Sequence, residues 1–284
     1  MSLETSPTTD GITHLLEDPR FELMPFDSFG DQMRRLPDGA TITVTASPSL
    51  GIDRTMNWAE RAAEADYNAV PHLAARYITD AEELATLAER LQSVGVTDVF
   101  VPGGDREEPI GEFESAYELL VALDELGYSF ENVGITGYPE GHHFLDDETL
   151  VESMERKAPY ATYITSQICY DRTEVLRWIK AIRDRGVDLP VEIGVPGVMK
   201  YQRLIGLSRE FGVGDSIQFL EKTSGVLGFV RQLVGSRGRY TPDELVDGFA
   251  PHATDPDYGI RGLTLYTFNQ VPDTESWRRD RLES

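Results

Sequence analysis

The stretch Val99-Phe100-Val101-Pro102-Gly103-Gly104-Asp105 shows the pattern that decides the fold of this chain. Its first three residues are apolar on both faces, which is typical of a parallel strand covered on both sides. Its last three residues are two glycines and an acid, which end the strand in a polar turn. Seven other segments repeat this order. Together the segments predict strands at 20–26, 40–46, 69–77, 99–105, 132–139, 160–167, 190–197 and 263–269.

Segments with helical periodicity separate the predicted strands. After the third strand, Thr79-Asp80-Ala81-Glu82 has the spacing of a capping box, and Leu84, Leu87 and Leu91 then fall on one helical face. A later helix is predicted to open at Thr241-Pro242-Asp243-Glu244, with proline at the first helical position. Further helices are predicted at 55–66, 116–127, 147–157, 171–186, 200–211 and 215–234.

Strand–helix alternation repeated about eight times predicts a parallel sheet with helical crossovers. We therefore predict a single-domain (β/α)8 TIM barrel over 19–284, behind a flexible polar N-terminal lead-in at 1–18. An open, doubly wound sheet is the alternative architecture. Its first strand should lead into a phosphate-binding glycine fingerprint, and Phe21-Glu22-Leu23-Met24-Pro25 contains none.

The composition excludes several classes of function. Lys and Arg number 26 against 49 Asp and Glu, so the formal net charge is −23. Such a field repels nucleic-acid backbones and anionic membrane surfaces. Cys169 is the lone cysteine, so no disulfide forms within the chain and a reducing cytoplasm is the expected location. We find no signal-peptide pattern and no apolar run of the roughly 18 residues that span a membrane. A small molecule is the expected partner, and an oligomer is compatible with this composition.

The strand ends are the expected place for a functional site, because all of them meet at one rim of a parallel barrel. Glu22 ends the first predicted strand among apolar residues. Desolvation at a barrel mouth would raise the pKa of its carboxyl above about 4.3 and make it a proton donor near neutral pH. The alternative is a glutamate paired with an arginine in a structural salt bridge.

Three more strand ends carry polar or conformationally free residues. Gly103 and Gly104 let a ligand approach the backbone. Asp105 either accepts hydrogen bonds from a heterocycle or caps a helix. Gln167 either reads the edge of a pterin or amide, or caps a loop. Tyr266 is either a wall of the pocket or part of the barrel closure.

Residues with rings and hydroxyls end the remaining strands. Tyr138 can stack on a ligand ring, and His142 can bind a phosphate or a ribose. His72 is either a satisfied rim histidine or a catalyst. Thr45 can bond a cofactor carbonyl or cap a helix start. His142 and His143 lack a carboxylate at helical spacing, so no metal site is predicted.

Taken in order, these strand-end residues resemble the 5,10-methylenetetrahydrofolate reductase family, and the resemblance covers most of the chain. The matching segments are Phe21-Glu22-x-x-Pro25, Val44-Thr45, Pro71-His72-Leu73, Gly104-Asp105, Tyr138-Pro139-Glu140-x-His142, Ile164-Thr165-x-Gln167, Pro196-Gly197-Val198-Met199 and Tyr266-Thr267-x-Asn269.

The resemblance implies a barrel enzyme that reduces 5,10-methylenetetrahydrofolate to 5-methyltetrahydrofolate with NAD(P)H, in one-carbon metabolism and methionine biosynthesis. It implies that Glu22 is the general acid that helps protonate the folate nitrogen leaving as the five-membered ring opens. Asp105 would lie between folate and flavin, Gln167 would hold the pterin, and Tyr266 and Leu204 would contact the substrate. The implied cofactor-binding residues are Thr45, His72, Gly103, Gly104, Tyr138, His142 and Lys157.

Two departures from the family pattern keep alternatives open. Gly103 stands where flavin-binding members carry an arginine, which removes a charge-assisted bond from the FAD site. Leu204 stands where a phenylalanine stacks on the substrate. Some reductases of this broad fold pass hydride directly from a reduced nicotinamide or deazaflavin to the pterin, so bound FAD and direct transfer are both considered. A second hypothesis is a folate- or flavin-binding subunit that works only in a partner complex. A third is a lyase or aldolase barrel, but no lysine lies at a predicted strand end.

Overall fold

The computed structural model describes residues 9–142, 145–200, 203 and 238–284. Its strands are β1 (Arg20–Leu23), β2 (Thr41–Val44), β3 (Asn68–Pro71), β4 (Asp98–Val101), β5 (Asn132–Gly137), β6 (Tyr163–Ile168), β7 (Val191–Pro196), β8 (Met199–Lys200), β9 (Arg239–Tyr240) and β10 (Ile260–Tyr266). Eight of them form one parallel sheet in the order β3-β2-β1-β10-β7-β6-β5-β4, while β8 and β9 pair antiparallel to each other. A parallel bridge between His72 and Phe100 joins the two ends of the sheet into a ring. The predicted (β/α)8 barrel is confirmed.

Helices follow the strands in alternation. They are α1 (Thr9–Leu16), α2 (Phe29–Met33), α3 (Ile52–Glu64), α4 (Ala81–Ser93), α5 (Ala116–Glu125), α6 (Asp147–Lys157), α7 (Arg172–Asp184), α8 (Asp243–Phe249) and α9 (Val271–Leu282). Their inner faces pack on the outward-facing apolar residues of the strands, which are fully buried in β1, β2, β6, β7 and β10. The helices predicted at 200–211 and 215–234 lie outside the described residues.

Two helix starts differ from the predicted ones by one residue. Asp80, and not Thr79, is the N-cap of α4, because its carboxylate accepts the amide of Glu83 at 2.9 Å. The Glu83 carboxylate in turn accepts the amide and hydroxyl of Thr79, at 2.6 Å and 2.8 Å. Pro242 is the N-cap of α8 rather than its first helical residue. Both shifts are of the size expected when a cap is placed from residue types alone.

Part of the predicted flexible lead-in is ordered, which corrects that prediction. Residues 9–16 form α1, in which the side chains of Leu15 and Leu16 are completely buried. The ring of His14 hydrogen-bonds the carbonyl oxygen of Ile260 at the start of β10, at 2.9 Å. Arg278 in α9 donates to the carbonyl oxygen of Leu16 at 2.8 Å. The apolar end of this polar segment therefore belongs to the barrel core.

The barrel interior is polar at its N-terminal end. Arg20 points inward from β1 and is only 4% exposed. Its guanidinium contacts Asp98 at 2.9 Å, Glu192 at 3.2 Å and the hydroxyl of Tyr163 at 2.9 Å. The Tyr163 hydroxyl donates to Asp98 at 2.8 Å. Gly134 makes room for the Tyr163 ring, because a Cβ at this position would overlap it. Removing one member of such a buried charged group typically costs about 3–5 kcal/mol.

We expect Gly134→Ala to destabilise the barrel, because the Tyr163 ring is held by Arg20 and Asp98 and cannot move aside. Overpacking of this kind costs about 1–3 kcal/mol, which lowers the melting temperature by about 5 °C. Gly103→Ala is the matched control, because a Cβ there meets no atom within 4 Å. Differential scanning calorimetry of the two variants should separate them, and equal melting temperatures would contradict this account.

Candidate active site

The carboxyl-terminal ends of the strands bring the sequence-predicted site residues to one rim. Glu22 and Tyr266 come from the adjacent strands β1 and β10, and Gln167 comes from β6, two strands further. On the other side, the ends of β2 to β5 carry the candidate cofactor residues, together with Asp105 after β4. The rim therefore has two arcs. One runs from β6 through β7 and β10 to β1, and the other from β2 to β5.

Glu22 lies at the mouth of the barrel and points inward. It is in register with Thr43 of β2 and Tyr266 of β10, and its backbone carbonyl accepts the Thr267 hydroxyl at 2.6 Å. Within residues 9–142, 145–200, 203 and 238–284 its carboxyl has no ion-pair partner, because Arg20 pairs with other acids. The alternative of a structural salt bridge is therefore not seen there. Burial, with no other cause, raises the pKa of Glu22 to about 8, so the group is a neutral acid at pH 7.

Tyr266 forms the wall next to this acid. Its hydroxyl donates to the carbonyl oxygen of Ser166 across β7, at 3.0 Å. The ring crosses Gly194, where an added Cβ would lie 2.7 Å from the ring edge. Burial and the nearby Glu22 raise the pKa of Tyr266 well above its usual value, so the hydroxyl stays protonated. Tyr266 thus braces the three strands β10, β7 and β6 beside Glu22, and its role as a wall of a pocket stays a prediction.

A β-bulge places Gln167. From Thr165 to Ile168, β6 spans one residue more than the facing segment of β7, which runs from Glu192 to Gly194. The hydroxyl of Ser166 fills the bulge by accepting the amide of Gly194 at 2.8 Å. Bulges are frequent next to active sites, where they redirect a side chain. Here the bulge sends Gln167 to the rim.

The side chain of Gln167 is held by a neighbouring loop. Its Nε2 donates to the carbonyl oxygen of Gly141 at 3.2 Å. The same loop is fixed by Glu140, whose Oε1 accepts the amides of Tyr170 and Asp171 at 2.6 Å and 2.7 Å. Sequence reasoning assigned no role to Glu140 or to Gly194. The signal for Gly194 was present, because an isolated glycine inside a strand pattern suggests a bulge or a close approach.

Asp105 follows β4 in a turn that requires glycine. Gly104 has a φ of +90°, which lies in the region that favours glycine. Asp105 is exposed at the rim and accepts a hydrogen bond from the hydroxyl of Tyr77. The next helix is capped by Ser115, so Asp105 is not a helix cap. Its carboxylate is available to a ligand at the mouth.

The second arc carries rings and small residues. His72 packs on Phe100 with ring centroids 4.8 Å apart, and burial lowers the pKa of its imidazole to about 3. Tyr138 and His142 form an edge-to-face pair with centroids 5.1 Å apart. Thr45 directly follows β2, and its carbonyl oxygen accepts the Thr55 hydroxyl at 2.9 Å. With its pKa lowered in this way, His72, which follows β3, is neutral at pH 7.

Lys157 lies apart from these rim residues. Lys157 ends α6 and is only 5% exposed, and burial lowers the pKa of its ammonium group to about 8. Leu204 lies outside the described residues.

The described part of the chain contains neither a cluster of metal ligands nor a membrane-spanning helix. No three His, Cys, Asp or Glu side chains are grouped as metal ligands there. None of the helices described here has both the length and the apolar character that crossing a bilayer requires.

Fold and site together define a class: a closed (β/α)8 barrel whose carboxyl-terminal rim carries a desolvated carboxylic acid, Glu22, and an exposed carboxylate, Asp105. The family described as Methylenetetrahydrofolate reductase matches residues 19–214. The chain therefore belongs to the methylenetetrahydrofolate reductase family, which confirms the resemblance seen in the sequence.

Individual relatives are distant. "Methylenetetrahydrofolate reductase 1" of Schizosaccharomyces pombe is 25% identical over 148 residues, a match that spans 49% of this chain and 24% of the relative's length. Among solved structures, a Burkholderia cenocepacia J2315 protein described as a phosphonomutase has a TM-score of 0.51 at 10% identity, covering 94% of this chain and 93% of that chain. At that identity the likeness shows the barrel fold alone.

Glu22→Gln should change how stability depends on pH. In the folded chain burial raises the pKa of Glu22 to about 8, whereas the unfolded side chain titrates near about 4.3. Its contribution to stability is complete below the unfolded pKa and is lost as pH rises through the folded pKa. Relative to wild type, the variant should therefore gain melting temperature from about pH 5 to about pH 8 and then level off.

The control for this calorimetric series is Asp27→Asn, which removes a fully exposed carboxylate, paired with Arg54, from the loop that follows β1. Its offset from wild type should stay nearly constant over the same pH range. A constant offset for Glu22→Gln as well would show that the acid is not desolvated.

Proposed function

We propose that this chain reduces 5,10-methylenetetrahydrofolate to 5-methyltetrahydrofolate, with Glu22 as the general acid. The observation that carries the proposal is the carboxyl of Glu22 at the mouth of the barrel, where burial raises its pKa to about 8 and the described residues offer it no ion-pair partner. The protonated acid gives its proton to the folate nitrogen that leaves when the five-membered ring opens to an iminium ion. Hydride then adds to the methylene carbon and completes the methyl group. Solvent returns a proton to the Glu22 carboxylate before the next turnover.

The first arc suits a reduced pterin. Gln167 offers a donor and an acceptor to the amide edge of the ring, and its loop is held by Glu140. Tyr266 supplies a flat apolar surface next to the acid. Asp105 lies on the loop after β4, and its exposed carboxylate can accept N–H groups of the bound ligand. Proximity and a low local dielectric then favour proton transfer from Glu22.

The residues of the second arc do not fit the pyrophosphate of FAD. Gly103 stands where the family pattern has an arginine, so that positive charge is missing from the arc. Arg76 is hydrogen-bonded to the neighbouring loop, and its guanidinium donates to the carbonyl oxygens of Arg106 and Glu114 at 2.8 Å and 2.9 Å. His72 is neutral because of its burial. Anionic groups need charge-assisted donors in such a site, so no step is proposed through a bound flavin.

We therefore propose that a reduced nicotinamide supplies the hydride directly. The open space beside the backbone of Gly103 leaves room for a planar ring near Asp105. The paired rings of Tyr138 and His142 give a second surface for stacking. These features need no permanent cofactor. They support a hydride donor bound opposite the arc that is proposed to hold the pterin.

Glu22→Gln should lower kcat by about 10²–10⁴-fold, because a positioned general acid contributes that much. The amide keeps the size of the side chain, so affinity for the folate and the melting temperature near pH 5 should change little. In wild type, kcat should fall as pH rises through about 8, where the acid loses its proton. The control variant Asp27→Asn, in the loop that follows β1, should retain the turnover of wild type and its pH dependence. Near-normal turnover of Glu22→Gln would reject Glu22 as the acid.

The purified chain should show no flavin absorption band, yet oxidise NAD(P)H when 5,10-methylenetetrahydrofolate is added. Added FAD should not raise the rate. A flavin band that remains after gel filtration, or a rate that depends on FAD, would contradict direct transfer while leaving the role of Glu22 intact.

The alternative of a binding subunit is decided by the same assay. An isolated chain that binds tetrahydrofolate but oxidises NAD(P)H only when a partner protein is added would favour it. Turnover by the isolated chain would dismiss it.

A further inference from the structure

Tyr77 connects two of the rim loops. It ends the short 3-10 helix Ala75–Tyr77 after β3, and its side chain is only 3% exposed. From there it reaches the loop after β4, where its hydroxyl donates to Oδ1 of Asp105. The sequence pattern predicted Tyr77 as the last residue of a strand over 69–77 and gave it no role in the site.

The backbone around this contact is fixed on both sides. The amides of Ala75 and Arg76 donate to the carbonyl oxygens of Pro102 and Gly103, each at 3.0 Å. Arg76 adds its guanidinium contacts to the following loop. The two loops are therefore hydrogen-bonded to each other along their backbones, next to the contact between Tyr77 and Asp105.

Gly104 lets the ring approach that turn. A Cβ on Gly104 would lie 3.3 Å from Cε1 of Tyr77, and the φ of +90° at Gly104 already disfavours any side chain. The ring thus packs against the backbone of the residue that precedes Asp105. This packing aims the hydroxyl at the carboxylate.

The hydroxyl is a constant donor. Burial, and then the hydrogen bond to Asp105, raise the pKa of Tyr77 well above its usual range. The phenol therefore keeps its proton at every pH at which the protein is handled. Asp105 itself is exposed and, among the residues that the structure describes, has no ion-pair partner. Without the phenol its side chain would be free to rotate in solvent.

We propose that Tyr77 is a positioning residue, which acts through Asp105 by holding one carboxylate oxygen so that the other faces the ligand between the two arcs. The inference rests on the proposed reductase function, in which Asp105 contacts the bound pterin. It adds a residue to the site that the family resemblance did not supply.

Tyr77→Phe tests this inference, because it removes the hydroxyl and keeps the ring on Gly104. We expect kcat/KM for 5,10-methylenetetrahydrofolate to fall about tenfold, as for loss of a hydrogen bond to a charged group. In an Asp105→Asn background the same change should have little further effect, because the two residues act as one unit. A purely structural role would instead give the same loss in both backgrounds.

Tyr128→Phe is the matched control. It also removes a tyrosine hydroxyl that donates to a carboxylate, here Glu89 at 2.7 Å, but on the outer helical layer. Its kinetic constants should equal those of wild type. Wild-type kcat/KM in Tyr77→Phe would overturn the inference.

A crystal structure of Tyr77→Phe provides a readout that does not need turnover. Asp105 should occupy one rotamer in wild type and several, or a different one, in the variant. An unchanged single rotamer would overturn the inference. Absence of reductase turnover in wild type would reject the proposed function instead, so the two failures are distinguishable.

Discussion

A carboxyl group that has lost much of its water, and that has no cation beside it among the described residues, is the constraint around which the mouth of this barrel is organised. Burying an ionisable group in this way favours its neutral form, and it does so for Glu22 because the strands β2 and β10 flank it. The closed ring of strands places a neighbour on both sides of it. An open sheet would leave such a residue at an accessible edge, where water would restore its ordinary acidity.

Two residues earlier on β1, a charged side chain is buried together with partners of opposite charge. Arg20 and Glu22 both point into the barrel, but Arg20 is surrounded by Asp98, Glu192 and Tyr163. The N-terminal end of the interior thus holds an ionic group in which Arg20 has partners for its charge and its N–H donors. This is expected for the end of a barrel that contributes to stability. The C-terminal end carries Glu22, which has no ion-pair partner among the described residues, and the exposed carboxylate of Asp105. The ionic group around Arg20 and the proposed acid are therefore two residues apart on β1.

Much of this arrangement could be predicted from the sequence. The alternation of strand and helix patterns predicts the barrel. Because the carboxyl ends of parallel strands meet at one rim, Glu22, Asp105 and Gln167 were predicted to lie at that rim. The helix α1 was not predicted, because only Ile12, Leu15 and Leu16 of its eight residues are large and apolar. The Tyr77 hydrogen bond and the bulge at Ser166 also escaped prediction. Both depend on contacts between strands that are distant in sequence.

The central claim is that Glu22 carries a proton at neutral pH. Infrared difference spectroscopy of wild type against Glu22→Gln measures this state directly, because a protonated carboxylic acid and a carboxylate absorb at different frequencies. The account predicts a carboxylic-acid band from Glu22 at pH 7 that disappears as pH rises through about 8. A carboxylate band alone at pH 7, with titration near about 4.3, would contradict it.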